Sequence, residues 1–252
     1  MAQPFQDHFG AVSRRYAVAR PTYPDELFAW LATAAPVRRR AWDCGAGSGQ
    51  ASVALAAHFD EVVATDASAG QLAEAITHPR VVYRVAPAEA SGLEDASVDL
   101  VTVAQALHWF PVDAFYAEVR RVARPGAVIS AWTYAAFTIA SPEADAIVRT
   151  YHYETMADWW PPERMLVENG YRDVPFPFER IDVPAFLMQT SWTLAQVTAY
   201  LRSWSATARY AAAHCGADPV ASVEAQLRDV WGDPSTPLSV TWPLTVLAGR
   251  VS

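Results

Sequence analysis

Asp43 is followed by glycines at 45, 47 and 49, in the run Trp42-Asp43-Cys44-Gly45-Ala46-Gly47-Ser48-Gly49. A second carboxylate, Asp66, closes the next apolar run, Val62-Val63-Ala64-Thr65-Asp66. Glycines let a backbone turn approach a ligand with no Cβ in the way. A carboxylate at the end of the following strand can accept both hydrogen bonds of a ribose diol. Together they predict a site for an adenosine-bearing cofactor, at the carboxyl ends of the strands in an open sheet.

The elements that must position these residues alternate. The pattern predicts a helix over 25–35 with Leu27, Trp30 and Leu31 on one face, a strand at 41–44 and a helix at 49–58. Ser68, with Gln71 three residues on, has capping-box spacing and begins a helix whose apolar stripe is Leu72, Ala75 and Ile76. Strands follow at 81–85 and 98–104. A helix from Asp113 carries Phe115, Val119 and Val122 inward and stops at Pro125-Gly126, before a fifth strand at about 127–134. Strands alternating with helices mean a parallel, doubly wound α/β sheet. The rhythm then breaks. Residues 135–235 read as an aromatic- and proline-rich insertion over the sheet's carboxyl edge, with room for a core strand near 174–185. Within it, a single helix from Thr193 carries Val197, Leu201, Trp204 and Ala208, and another runs from Asp218-Pro219 to about Trp231. Residues 236–252 hold a terminal strand returning to the sheet, with Pro243 marking an edge or a bulge.

Composition excludes several chemistries. All 19 basic residues are arginine, so there is no phosphate loop ending in Gly-Lys and no Schiff-base lysine. The net charge of −8 and the scatter of arginines argue against a nucleic-acid partner. Arg38-Arg39-Arg40 reads as a solvated helix end. Two cysteines, Cys44 and Cys215, make neither a disulfide framework nor a metal site. No apolar run is long enough to span a membrane and no leader is visible, so a cytoplasmic protein, monomeric or homodimeric, is expected.

A dinucleotide turn needs G-x-G-x-x-G, but here position 50 is Gln50. Asp43, at the end of the first strand, would repel a pyrophosphate yet could order water or face the ammonium of an amino-acid ligand. That suits S-adenosylmethionine (SAM), whose product is S-adenosylhomocysteine. The run 43–49 resembles the first motif of class I SAM-dependent methyltransferases, and Asp66-Ala67-Ser68 resembles their ribose motif. Ala88-Glu89 is similar to the adenine-reading loop, and Gln105-Ala106-Leu107-His108-Trp109-Phe110 to the segment under the methionine moiety. The resemblance covers roughly 9–134 and implies a Rossmann-like, seven-stranded sheet. It also implies a cofactor site formed by Asp43, Gly45, Ala46, Gly47, Gly49, Gln50, Asp66, Ala67, Ser68, Leu72, Ala88, Glu89, Gln105, Ala106 and His108. A narrower resemblance, to the trans-aconitate methyltransferase-like branch, rests on Phe9, Tyr16, Arg20-Pro21, Tyr23-Pro24, Trp159 to Arg164 and Ser203-Trp204-Ser205. It implies a lid in which Tyr16 and Arg20 close over the cofactor's carboxylate end.

The expected activity is methyl transfer to an oxygen of a small molecule, with the carboxylate of an organic acid in the lead. The alternatives are a phenolic or hydroxylated natural product, or a SAM-binding protein without turnover. His108 is the candidate base, substrate contact or packing group beside the methyl site. Candidates to line the acceptor pocket are Trp109, Trp132, Tyr134, Tyr153, Trp160, Arg164, Trp204 and Arg209. Arg164 leads as a partner for a substrate carboxylate.

Overall fold

A computed structural model describes residues 21–252. Five parallel strands form the sheet's heart: β1 (Arg40–Cys44), β2 (Glu61–Asp66), β3 (Val81–Val85), β4 (Val98–Ala104) and β5 (Ala123–Thr133), in the spatial order 3-2-1-4-5. β9 (Leu238–Arg250) runs antiparallel to β5, and β7 (Glu179–Arg180) pairs with β9 at Gly249 and Arg250. Those seven strands are the layer the motifs implied, and β7 lies where a strand near 174–185 was expected.

The central strands are apolar almost throughout because both faces are covered. On one face Trp42, Val63, Val101 and Ile129 pack with Phe115, Val119 and Val122 of α4 (Val112–Val122). On the other, Ala41, Val62, Leu100 and Val128 meet Leu27, Phe28 and Leu31 of α1 (Asp25–Ala34) and Leu55 of α2 (Gln50–Leu55). The run 38–40, read as a helix end, lies past the end of α1: Arg38 Nε reaches back to donate to the Ala32 carbonyl at 2.9 Å, while Arg40 opens β1 and pairs with Glu61.

The first half of β9 serves a second assembly. β6 (Thr138–Ile139) and β8 (Phe186–Trp192) pair with it over Leu238–Leu244. Here Phe137, Met188, Trp192, Val240 and Trp242 pack against α5 (Pro142–Thr150), α7 (Leu194–Arg202) and α9 (Val220–Trp231). Pro243 sits opposite Leu187 near the end of the β8 pairing, two residues before β9 takes β5 as its partner at Thr245. The insertion is therefore β as well as helical.

Three local expectations are corrected. α3 (Ala69–Ala73) starts as read, with the Gln71 amide donating to Ser68 Oγ, but it is one turn long and buries nothing. Ile76 is 52% exposed, because α3 flanks the edge strand β3 and has little sheet to cover. Pro125-Gly126 does not divide helix from strand. β5 already begins at Ala123 and passes through them across a register shift opposite Val98 and Leu100. The helix from Thr193 is two helices, α7 and α8 (Ser205–Ala213). The Ser203 hydroxyl donates back to the Tyr200 carbonyl at 2.6 Å, and Trp204 turns extended so that its ring can be buried.

Candidate active site

The turn after β1 is held by β2. The amides of Gly45 and Ala46 donate to the Thr65 carbonyl, at 2.8 and 3.0 Å. Gly47 N donates to Asp66 Oδ2 and Ser68 N to Oδ1, at 2.9 and 2.8 Å. Gly45, Gly47 and Gly49 all have left-handed φ, at 71°, 54° and 81°. Their reasons for lacking a side chain differ. A Cβ on Gly45 would lie 2.6 Å from Ala106 Cβ, and one on Gly49 2.1 Å from the Tyr83 hydroxyl. Among the described residues, a Cβ on Gly47 would meet only Gln71 Oε1, at 3.8 Å. Among the described residues, the turn is thus closed on two sides and open at its middle.

Asp43 is enclosed by its neighbours. It is 0% exposed, with Oδ2 accepting from Ser52 Oγ at 2.5 Å and Oδ1 from Thr102 Oγ1 at 2.9 Å. Burial pushes its carboxyl up to about 6, against the pull of those two hydroxyls. Asp43 lies beneath the turn and ties α2 and β4 to β1. Gln50 is also committed within the protein, donating to the Pro21 carbonyl at 3.1 Å. Ala67 and Leu72 are half-buried beside Asp66, and Ala88 is buried. Glu89 is exposed but close enough for its charge to act on the Cys44 thiol, which burial raises well above its usual range. Tyr16 and Arg20 lie outside the described residues.

Beyond β4, Gln105 has φ 55°, a left-handed conformation that a side chain disfavours. Its Nε2 donates to the Tyr134 carbonyl at 2.8 Å, and its Oε1 accepts from Thr133 Oγ1. Ala106 and Phe110 press on Gly45, which sets the segment 105–110 directly against the glycine turn. His108 follows, with Nδ1 2.9 Å from the Tyr171 hydroxyl. Burial, then the charge of Arg164, lowers His108 to about 4, so it is neutral at pH 7.

The pocket candidates divide. Trp109 lies beside His108, with ring centroids 4.8 Å apart and planes tilted by 46°, and Tyr134 supplies the carbonyl that holds Gln105. Arg164 lies 4.6 Å over the Trp160 ring and donates to Glu168 Oε1 at 2.8 Å. Glu168 Oε1 also meets Nε2 of the buried His152 at 3.0 Å. Trp132 is a core residue, 0% exposed, with Tyr23 and Phe28 edge-on at 5.5 and 6.2 Å. Trp204 is likewise buried in the second core, among Tyr151, His152 and Trp160. Tyr153 and Arg209 are exposed. Large aromatics supply more burial than any other side chains, which is why pocket and core tryptophans read alike in sequence. Thr133, His152 and Tyr171 were not singled out from sequence. The one local mark of Tyr171 is the preceding Gly170, and both are left-handed.

The chain is 37% identical over 209 residues to a Dictyostelium discoideum protein named as a methyltransferase, covering 82% of this chain and 80% of that one. The chain belongs to the class I SAM-dependent methyltransferases. The family model described as a methyltransferase domain matches residues 42–131, from the glycine turn to the end of β5. A solved methyltransferase structure from Anaeromyxobacter dehalogenans superposes on this methyltransferase with TM-score 0.87 at 49% identity, over 92% of this chain and 98% of that one. An uncharacterised Mycobacterium tuberculosis methyltransferase is 40% identical over 119 residues, 47% of this chain and 48% of its own. SAM is the expected cofactor of this methyltransferase, and the turn fits it. A phosphate-free ligand can lie over Gly47, where among the described residues a Cβ would have only Gln71 Oε1 within reach, at 3.8 Å. Among the described residues no helix is long and apolar enough to cross a membrane.

Proposed function

We propose that this enzyme methylates an oxygen of a small molecule. The observation that carries the reading is the placement of a neutral His108 on the segment that abuts the glycine turn. When bound, SAM would supply a methyl carbon activated by its sulfonium and would leave as S-adenosylhomocysteine.

The protein's part is to bind, align and exclude water. Asp66 holds the Gly47 and Ser68 amides at the end of β2, where a ribose diol would be received. The open middle of the turn, at Gly47, takes the cofactor's approach, while Ala88 and Glu89 flank the adenine end. Gln105 and Ala106 form the floor near the reacting methyl, with Gln105 locked by Thr133 and Tyr134. An acidic chain with an aromatic-rich second core supports an enclosed small-molecule acceptor over a polymer.

The arginines give less support to a carboxylate clamp. Arg164 is paired with Glu168, Arg202 with Asp218 and Glu224, and Arg149, Arg172 and Arg209 are exposed. The test is turnover of SAM with two acceptor panels, small di- and tricarboxylic acids including trans-aconitate, and phenols and alcohols, with the product read by mass spectrometry. A methyl ester or ether supports the reading. Methylation confined to nitrogen or carbon acceptors overturns it.

A further inference from the structure

Two carboxylates at the connection from β3 to β4 are in opposite states. Glu118, on α4, is buried and fully engaged. Its Oε1 accepts from the Ser91 amide at 2.8 Å, from the Ser91 hydroxyl, and from Arg121 Nη2 at 2.7 Å. Its Oε2 accepts from Arg121 Nε at 2.8 Å. Glu89 is exposed and has no hydrogen-bond or ion-pair partner among the described residues. Only two positions separate Glu89 from Ser91, the residue that Glu118 grips.

Residues 86–97 join the two strands with no helix or strand of their own. Their start is tied to the end of β2, where Ala86 N donates to the Asp66 carbonyl at 3.1 Å. Ala90 N donates to the Pro87 carbonyl at 3.3 Å and folds 87–90 into one turn. Ser91 follows at once, and its Oγ accepts from Leu93 N at 3.2 Å. The turn that carries Ala88 and Glu89 is thus pinned at one end by Asp66 and at the other by Glu118. Arg121 first, with Ser91 adding to it, holds the Glu118 carboxyl down at about 2 against the effect of burial, so both of its oxygens remain acceptors at neutral pH. A glutamine there would keep one oxygen and turn an NH2 onto Ser91 or Arg121, whose facing groups are donors.

We infer that Glu118, acting through Ser91, is a positioning residue that sets the place of Glu89 and with it the preference of the cofactor site for adenine. This rests on the reading that Ala88 and Glu89 flank the adenine end, and it adds what holds them there. A carboxylate only accepts, so Glu89 suits the amino group of adenine, a donor. It opposes hypoxanthine, which carries an oxygen at that position. Loosening Ser91 leaves the turn with one pin, at Ala86, and lets Glu89 drift from that edge of the base.

The test titrates SAM and its inosine analogue, whose base is hypoxanthine, into wild type and variants by calorimetry, with no methyl acceptor present. Wild type should bind SAM roughly 10- to 100-fold more tightly than the analogue, and Glu89→Gln should remove most of that preference. Glu118→Gln should weaken SAM roughly 10-fold and the analogue by less than about twofold. Added to Glu89→Gln, it should weaken SAM little further, because the two residues act through one contact. A merely structural role for Glu118 predicts that both ligands weaken alike. That outcome overturns the inference, as does an unchanged preference for SAM. Where circular dichroism shows Glu118→Gln unfolded, Ser91→Ala decides, since it removes one donor and leaves Glu118 paired with Arg121. It should lower the preference roughly threefold, and an unchanged preference in that variant overturns the inference too. Preference lost in Glu89→Gln but kept in Glu118→Gln overturns the inference alone. A wild type without preference, unaffected by Glu89→Gln, overturns the placement of Glu89 at the adenine end and the inference with it.

Discussion

The backbone amide of Gly47 donates to Oδ2 of Asp66 across 19 positions, at 2.9 Å. One carboxylate thereby shapes the turn and stands where the cofactor's ribose is expected. Asp66→Ala should therefore weaken SAM binding by roughly 10- to 100-fold, the scale of one or two hydrogen bonds to a charged group. Calorimetric titration with SAM would show it, with an unchanged circular dichroism spectrum separating it from unfolding. Binding within a factor of two of wild type would mean that Asp66 acts on the turn alone.

The glycines at 47 and 49 should separate ligand from fold. Gly49→Ala places a methyl 2.1 Å from the Tyr83 hydroxyl, at a left-handed φ, and should cost ~2 kcal/mol or more in stability. Gly47→Ala meets no such clash and should cost about 1 kcal/mol, from φ alone. Its methyl lies where the cofactor must approach, so SAM affinity should fall far more than stability does. Urea unfolding and SAM titration on both variants check this. Equal loss of affinity in two equally stable proteins would contradict it.

Asp43 predicts a pH dependence. Its carboxyl is raised from 3.8 to about 6 by burial, so between those values the folded protein holds a proton that the unfolded chain has released. Stability from this group is present below about pH 4 and is lost as pH rises through 6, about 3 kcal/mol in all. Asp43→Asn has no such titration. The stability of the variant relative to wild type should improve by up to about 3 kcal/mol between pH 4 and pH 7.5, measured by urea unfolding at each pH. A pH-independent difference would show that Asp43 is ionised throughout.

Arg164 lowers His108 by its charge, second to burial. Arg164→Gln should raise the histidine's titration midpoint only part of the way from about 4 towards 6.5, as followed by NMR. The lowered value also means that wild-type stability from His108 is complete above pH 6.5 and is lost as pH falls through 4. A full return to 6.5 in the variant would make charge, not burial, the ruling cause.

The strand–turn–strand core was legible because its signals are local. The spacing of Gly45, Gly47 and Gly49 and the apolar runs at 62–66 and 98–104 each follow from backbone needs within a few residues. The partners of Asp43, Ser52 and Thr102, were not legible because the fold brings them to it; Thr102 lies 59 positions away. The same holds for Tyr171, 63 positions from His108. Trp132 and Trp204 failed as pocket residues for a different reason. Aromatic composition marks burial and leaves open which side of a wall the ring lies on. The break at Ser203-Trp204 was hidden because the apolar spacing continues through it while the backbone does not.

β9 has a consequence for how this protein is made. Its thirteen residues complete the sheet beyond β5 at one end and cover β6 and β8 at the other. A nascent chain that has not yet reached Leu238 therefore holds two unfinished sheets, with the exposed margins of β5 and β8 both able to recruit a foreign strand. Stalled synthesis or a cut near Gly232 should yield aggregates and not a half-protein with a working glycine turn.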